Sequence, residues 1–278
     1  MLNPEDWEQI KALQIKVEQE DNISLKLNWD MLRSRKAEDQ DDFICRQDGR
    51  IVAFLGLYDF ASKIEVCGMV SPEYRRQGLF TSLLQEALPK ERADRYKEIW
   101  LNTPADSLTG KAFAVSVGAT PGFSEYQMKY SAPASSEAPV VLAEVHLRPA
   151  ESLDRNAIIS LDAQGFEMTE EEAASIYERQ SGEKDSLLYM IEYKGESAGK
   201  LLVNTDPKQS WIYGFVIFDH FRGQGIGRSA LMQIVKQEYS LGRDVFLEVA
   251  LNNDRALHLY KSCGFETVQV QDYYGYRP

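Results

Sequence analysis

The chain has 278 residues, 44% of them hydrophobic, and a formal net charge of −12 from 31 basic and 43 acidic side chains. That length suits one large domain or two of ordinary size. No apolar run reaches the roughly 18 residues of a membrane span, and neither half carries the basic excess of a nucleic-acid binder. Three scattered cysteines, Cys45, Cys67 and Cys263, form neither a disulfide framework nor a CxxC metal spacing. The start is acidic and lacks a basic n-region and an apolar h-region. The expectation is a cytoplasmic protein with reduced thiols and no metal. Its acidic surface serves solubility and would also favour a cationic partner such as an amine.

In chain order, Glu5–Gln19 reads as an amphipathic helix. "FICRQDGRIVAF" (Phe43–Phe54) reads as two strands around an Asp-Gly turn, and "KIEVCGMV" (Lys63–Val70) as a third strand. The basic turn "YRRQGLF" (Tyr74–Phe80) leads into a helical stripe of Leu79, Phe80, Leu83, Leu84, Ala87 and Leu88. A strand ("EIWLN"), a short helix and a last strand follow. "SAPASSEAP" (Ser131–Pro139) is small, polar and proline-marked, and reads as a linker.

The same order then repeats. Glu170–Gln180 is a helix, and Leu187–Leu202 is a hairpin turning at Lys194-Gly195. "WIYGFVIF" (Trp211–Phe218) is a strand, and "FRGQGIG" (Phe221–Gly227) is the basic turn again. Ile226, Ala230, Leu231, Ile234 and Val235 form the stripe, and "DVFLEVAL" the next strand. Gly49 and Gly195 are 146 positions apart, Tyr74 and Phe221 are 147, and Gly118 and Gly264 are 146. A near-constant offset over three landmarks indicates an internal duplication. The expected domains are 1–132 and 139–278, each a mixed α/β layer.

The turn between strand and helix has a physical use. The first turn of a helix presents unpaired N–H groups and a partial positive charge. Glycines there let a ligand approach the backbone, which suits a pyrophosphate. "GIGRSA" also satisfies the dinucleotide pattern G-x-G-x-x-A, but too few residues follow it for the further βα units of a Rossmann domain. No G-K-[ST] is present, so a Walker A loop is excluded.

The second half resembles the GCN5-related N-acetyltransferase (GNAT) superfamily, whose acetyl-CoA loop reads [RQ]-x-x-G-x-[GA]. Here it is Arg222, Gly223, Gln224, Gly225, Ile226, Gly227, with Arg228 following. The family's N-x-x-A-x-x-L-Y-x-x-x-G-F stands as "NDRALHLYKSCGF", fixed at Asn253, Ala256, Leu259, Tyr260, Gly264 and Phe265. The resemblance covers most of Val141–Pro278. It implies tandem GNAT domains and acetyl transfer from acetyl-CoA to an amine by direct attack. The acceptor would be an amine-bearing small molecule or a peptide N-terminus, and the protein a monomer or homodimer.

By the resemblance, Tyr260 is the acid that protonates the CoA thiolate; its other reading is a tyrosine packed on a helix. Asn253 would hold pantetheine, cap its own helix, or both. Phe215, Val216 and Ile217 would offer backbone groups to pantetheine, with the Ile217 N–H toward the oxyanion. Glu248 interrupts the apolar strand "VFLEVAL" and is the candidate base; otherwise it faces solvent or an ion-pair partner. Glu248, Tyr260 and "QDYYGY" together resemble ribosomal-protein N-terminal acetyltransferases, which would set Tyr273 and Tyr274 along the substrate groove. Alternating tyrosines in a last strand also suit plain packing.

The first half departs from the family pattern. Phe80 stands where Gly227 stands, Ala114 where Tyr260 stands, Asn102 where Glu248 stands and Ser107 where Asn253 stands. It is expected to keep the fold without the chemistry. Two other readings stay open: a CoA-binding module without turnover, and a transferase for a longer acyl group.

Overall fold

A computed structural model describes residues 2–35, 39–60, 62–132, 141–180 and 186–278 as a mixed α/β chain. Most of the expected linker lies outside the described residues. Two compact units are present. Unit 1 comprises Met1–Ser124 and Gln269–Pro278, and unit 2 comprises Glu125–Val268.

Unit 1 opens with α1 (Pro4–Asp21), which Asn3 caps by accepting from the Asp6 amide while the Asp6 carboxylate accepts from Asn3. Satisfying two orphan donors at once fixes where the helix starts. Its inward stripe is Ile10, Leu13 and Val17. After α2 (Trp29–Arg33) come β1 (Asp42–Gln47) and β2 (Arg50–Phe60). They join at Asp48 (φ 50°) and Gly49 (φ 78°), the doubly left-handed turn that an Asp-Gly pair favours. β2 is buried without a break from Ile51 to Tyr58, because helices cover both its faces. β3 (Lys63–Val70), α3 (Leu79–Ala87), α4 (Lys90–Ala93), β4 (Glu98–Pro104) and α5 (Leu108–Ser116) complete the first copy of the pattern up to its last strand. One apolar layer packs under α1 and α2, around Phe54 and Tyr58. The other packs under α3 and α5, around Leu84 and Leu101.

Unit 2 repeats the design. It contains most of β5 (Thr120–Tyr130), then β6 (Val145–Pro149), α6 (Arg155–Gly165), α7 (Glu170–Gln180), β7 (Ser186–Tyr193) and β8 (Glu196–Thr205). β9 (Gln209–Ile217), α8 (Ile226–Ser240), β10 (Asp244–Ala250), α9 (Asp254–Ser262) and the first residues of β11 (Phe265–Gly275) follow. The β7–β8 turn again has two left-handed residues, Lys194 at 53° and Gly195 at 84°. The larger core lies between the sheet and α8, around Leu231, Ile234 and Leu247. A smaller one lies under α6, around Leu161, Met190 and Val216.

The compact units and the sequence halves divide the chain differently at the last strands. β5, at the end of the first half, pairs antiparallel with β10 from Phe246↔Lys129 to Ala250↔Glu125, inside unit 2. β11, at the end of the second half, pairs antiparallel with β4 from Gln271↔Pro104 to Gly275↔Trp100, inside unit 1. Each half therefore lends its closing strand to the other unit.

Candidate functional site

The glycine turn of unit 2 is built by Arg222 and two left-handed glycines. Gly223 has φ 80°, and Gly225 has φ 80° and caps α8 without any side-chain acceptor. A side chain at either position would be strained whatever the space around it. The arginines are engaged within the chain. Arg222 Nε donates to the Ile217 carbonyl at 2.8 Å and its guanidinium pairs with Asp219. Arg228 reaches α9, donating to the Ser262 carbonyl at 3.1 Å and its Oγ at 2.7 Å. Gln224 closes the turn on the His220 carbonyl at 3.0 Å. Ile226 is buried in the core. A Cβ at Gly227 would meet Ile217 and Phe215 at 3.5 Å and Leu259 at 3.8 Å. The missing side chain thus leaves open the space between the helix start and the end of β9.

β9 is irregular at that end. In unit 1, Gly56 pairs with Cys67 and Phe54 with Met69, so Leu55 faces one residue, Gly68. In unit 2, Leu202 pairs with Tyr213 and Lys200 with Val216, so Leu201 faces two, Gly214 and Phe215. This is a β-bulge, and Gly214 takes φ 53° within it. It is also the extra residue that lengthens the repeat offset from 146 to 147. Beside the bulge β9 parts from its other neighbour. β9 and β10 pair in parallel only from Gln209↔Asp244 to Ile212↔Leu247. Phe218 N donates to the Ala198 carbonyl on β8. Alternation along the strand therefore turns the Ile217 amide to the side that β10 has left.

Glu248 lies just past the point of divergence, half-buried, on the face of β10 shared with Phe246. Its Oε1 accepts from Gln127 Nε2 at 2.8 Å. Tyr260 is the buried residue of α9, 8% exposed, with its ring 6.1 Å from Phe265. Among the described residues its hydroxyl has no hydrogen-bond partner. Burial raises its pKa above the usual phenol value of 10.0, so the proton stays on oxygen at neutral pH. Asn253 caps α9, accepting from the Ala256 amide at 3.1 Å. The capping reading of Asn253 is therefore realised.

Sequence reasoning missed a buried ion pair next to the bulge. Lys200 Nζ lies 2.6 Å from Asp162 Oδ1 of α6, and the two side chains are 2% and 5% exposed. Burial pushes the lysine down and the carboxyl up from their ordinary values. Asp162 Oδ2 has no partner among the described residues. In unit 1 the matching strand position is Phe54, fully buried.

Unit 1 has the same turn backbone. Arg75 Nε donates to the Val70 carbonyl, Arg76 is left-handed at 63°, and Gly78 caps α3 at φ 79°. Ser107 caps α5 as Asn253 caps α9. The differences are in the filling. The Phe80 ring sits over Gly68, where a Cβ would come within 2.6 Å of it, and stacks edge-on against Phe113 at 4.9 Å. Ala114 is buried and offers no hydroxyl.

Tyr273 and Tyr274 belong to unit 1, whereas Glu248 and Tyr260 belong to unit 2. The Tyr273 ring stacks on Phe123 at 4.4 Å, and its hydroxyl accepts from Lys26 Nζ at 2.8 Å. Tyr274 packs into the core under α3 and α5. The strand exchange is the cause. The residue set opposite Glu248 is Gln127, and Tyr273 is set opposite Asn102. No group of three or more metal-ligating side chains is present among the described residues, and no helix of them is long and apolar enough to cross a membrane.

The profile of the Acetyltransferase (GNAT) family matches twice, over residues 6–114 and 155–265. An uncharacterized N-acetyltransferase of Bacillus subtilis, YdgE, is 30% identical over 83 residues, 28% of this chain and 53% of its own length. The N-alpha-acetyltransferase RimI of Mycobacterium tuberculosis is 33% identical over 85 residues, 31% of this chain and 51% of its own. The chain thus spans about half the length of these curated relatives. A GCN5-related N-acetyltransferase from Sphaerobacter thermophilus superposes with a TM-score of 0.77 at 21% identity, covering 100% of this chain and 95% of the other. A tandem GNAT protein from the clavulanic acid biosynthesis pathway does so with 0.71 at 20% identity, covering 97% and 94%. At these identities the two structures bear on the fold alone.

Proposed function

Because the chain belongs to the GNAT acetyltransferase family, we propose that unit 2 transfers an acetyl group from acetyl-CoA to a primary amine on a small molecule or a peptide N-terminus. The observation that carries the assignment to unit 2 is the Gly214–Phe215 bulge, which the first copy lacks. It lies where β9 and β10 part, beside a helix start kept open by Gly227.

In this reading the pyrophosphate rests on the amides of Gly223 to Arg228, and pantetheine runs along Phe215, Val216 and Ile217. Acetyl-CoA supplies a thioester carbonyl, whose developing oxyanion the outward Ile217 N–H would meet. A free amine has a pKa of about 8 to 10 and must be neutral to attack. Glu248 takes the proton from the attacking nitrogen, directly or through water. The C–N bond forms, the C–S bond breaks, and Tyr260 gives its proton to the departing sulfur. Asn253 acts by capping α9 and so fixing Tyr260. In unit 1 the Phe80 ring fills the corresponding space and Ala114 has no proton to give, which supports a structural role for that copy.

The test is a panel of amines and peptides with acetyl-CoA, read by release of free thiol. Thiol release that depends on one acceptor class and on Tyr260 supports the reading. CoA binding without turnover on any amine would favour a binding module instead. A preference for propionyl- or succinyl-CoA would favour a longer acyl donor.

A further inference from the structure

We infer that Gln127 is a positioning residue for Glu248, so that the first half of the sequence contributes a side chain to the chemistry of unit 2. The inference rests on the acetyl-transfer reading above. Gln127 Nε2 donates to Glu248 Oε1 at 2.8 Å, and the two residues stand directly opposite each other on the antiparallel strands β5 and β10. Gln127 is only 8% exposed, and burying an amide is costly unless it is bonded. A glutamate on a strand otherwise has several rotamers of similar energy. A charge-assisted bond from a fixed neighbour selects one of them.

The chemistry of the donor matters as well. A lysine or arginine at position 127 would neutralise the carboxylate by ion pairing. An amide orients it and leaves it able to take a proton. Lys129, two residues further along β5, is engaged elsewhere. Its ammonium pairs with Asp244 at 2.9 Å and lies 5.6 Å from the centre of the Phe246 ring. Unit 1 provides the contrast. There the matching pair is Asn102 opposite Tyr273, with no carboxylate to orient. The pair of amide and acid therefore exists only where the bulge exists.

The test uses the full chain in four forms: wild type, Gln127→Leu, Glu248→Ala and the double variant. With acetyl-CoA and the best acceptor of the panel, Gln127→Leu should lower kcat on the order of tenfold. The KM for acetyl-CoA and the melting temperature should stay within error. In the Glu248→Ala background the same substitution should change nothing further, since the group it orients is gone. A second readout does not need turnover. In an ¹⁵N-labelled chain the Gln127 side-chain amide should shift on Glu248→Ala. An unmoved amide overturns the pairing whatever the kinetics. A shifted amide in a wild-type chain that acetylates no acceptor overturns the reaction and the positioning role with it. A shifted amide with additive losses in kcat would make Gln127 merely structural and overturn the inference alone.

Discussion

The Lys200 ammonium lies against Gly214 at the bulge: a Cβ on Gly214 would come within 3.2 Å of it. That ammonium is the one paired with Asp162 under α6. The irregular stretch of β9 is thus backed by a buried ion pair, and the regular β3 of unit 1 by the Phe54 ring.

A buried pair of this kind is costly to break and cheap to replace. Lys200→Met or Asp162→Leu alone strands one charge, and should cost about 3 to 5 kcal/mol of unfolding free energy. The double variant should recover most of that loss. Urea unfolding of the three variants checks this, and a double variant as unstable as the singles would refute it.

Tyr260→Phe removes the proton donor and little else, because its hydroxyl has no partner among the described residues. Turnover should fall by about 10²-fold, with the melting temperature unchanged. Turnover equal to wild type would remove Tyr260 from the mechanism.

The pH profile carries a sign that follows from burial. The Tyr260 pKa lies above the ordinary phenol value of 10.0, so its acid form persists through the whole neutral and mildly alkaline range. Turnover at saturating acceptor should therefore show no decline below pH 10 from loss of this proton. A tyrosine-dependent fall near pH 8, absent in Tyr260→Phe, would contradict it.

Binding of CoA should depend on the second turn. Gly225→Ala and Gly227→Phe should each reduce the rise in melting temperature caused by CoA. Gly78→Ala should leave that rise intact, although φ 79° at Gly78 makes the substitution destabilising in its own right. Dependence on Gly78 alone would exchange the roles of the units.

Acid should loosen unit 2 at Asp154. Its carboxylate accepts from Arg148 at 2.6 and 2.8 Å and from the Glu151 amide at 2.8 Å. The Arg148 hydrogen bonds hold its pKa below the ordinary 3.8. A depressed pKa means that the stabilisation is complete above the unfolded value and is lost as pH falls through the folded one. Wild type and Asp154→Asn should differ by a constant amount from pH 7 to about 5 and converge below pH 3.8. Convergence already near pH 6 would contradict the assignment.

Much of this was legible in the sequence because it is local. Asp48-Gly49 and Lys194-Gly195 specify their own turns, and Asn253 caps the helix that begins right after it. The repeated glycine turn likewise gave the duplicated α/β order. The bulge was half legible. The offset of 147 revealed one extra residue, but only the pairing of Lys200 with Val216 located it at Gly214–Phe215. The strand exchange was not legible, because alternation in β5 and β11 sets which side chains face the core and says nothing of which strand lies alongside. That is why neither the pairing of Glu248 with Gln127 nor that of Tyr273 with Asn102 was foreseen. The engagement of Arg222 and Arg228 inside the chain was hidden for a similar reason, since charge alone does not reveal a carbonyl partner.

The lending of closing strands also sets the order in which the molecule can be finished. Synthesis runs from the amino terminus, so unit 1 has its helices and four of its strands long before residues 269–278 exist. Until they arrive, β4 waits with an unpaired edge, which invites association with other chains. Splitting the chain at its linker would leave two fragments, each holding the strand the other lacks. What duplication began as two copies is now one chain in which each half is completed by the other's last strand.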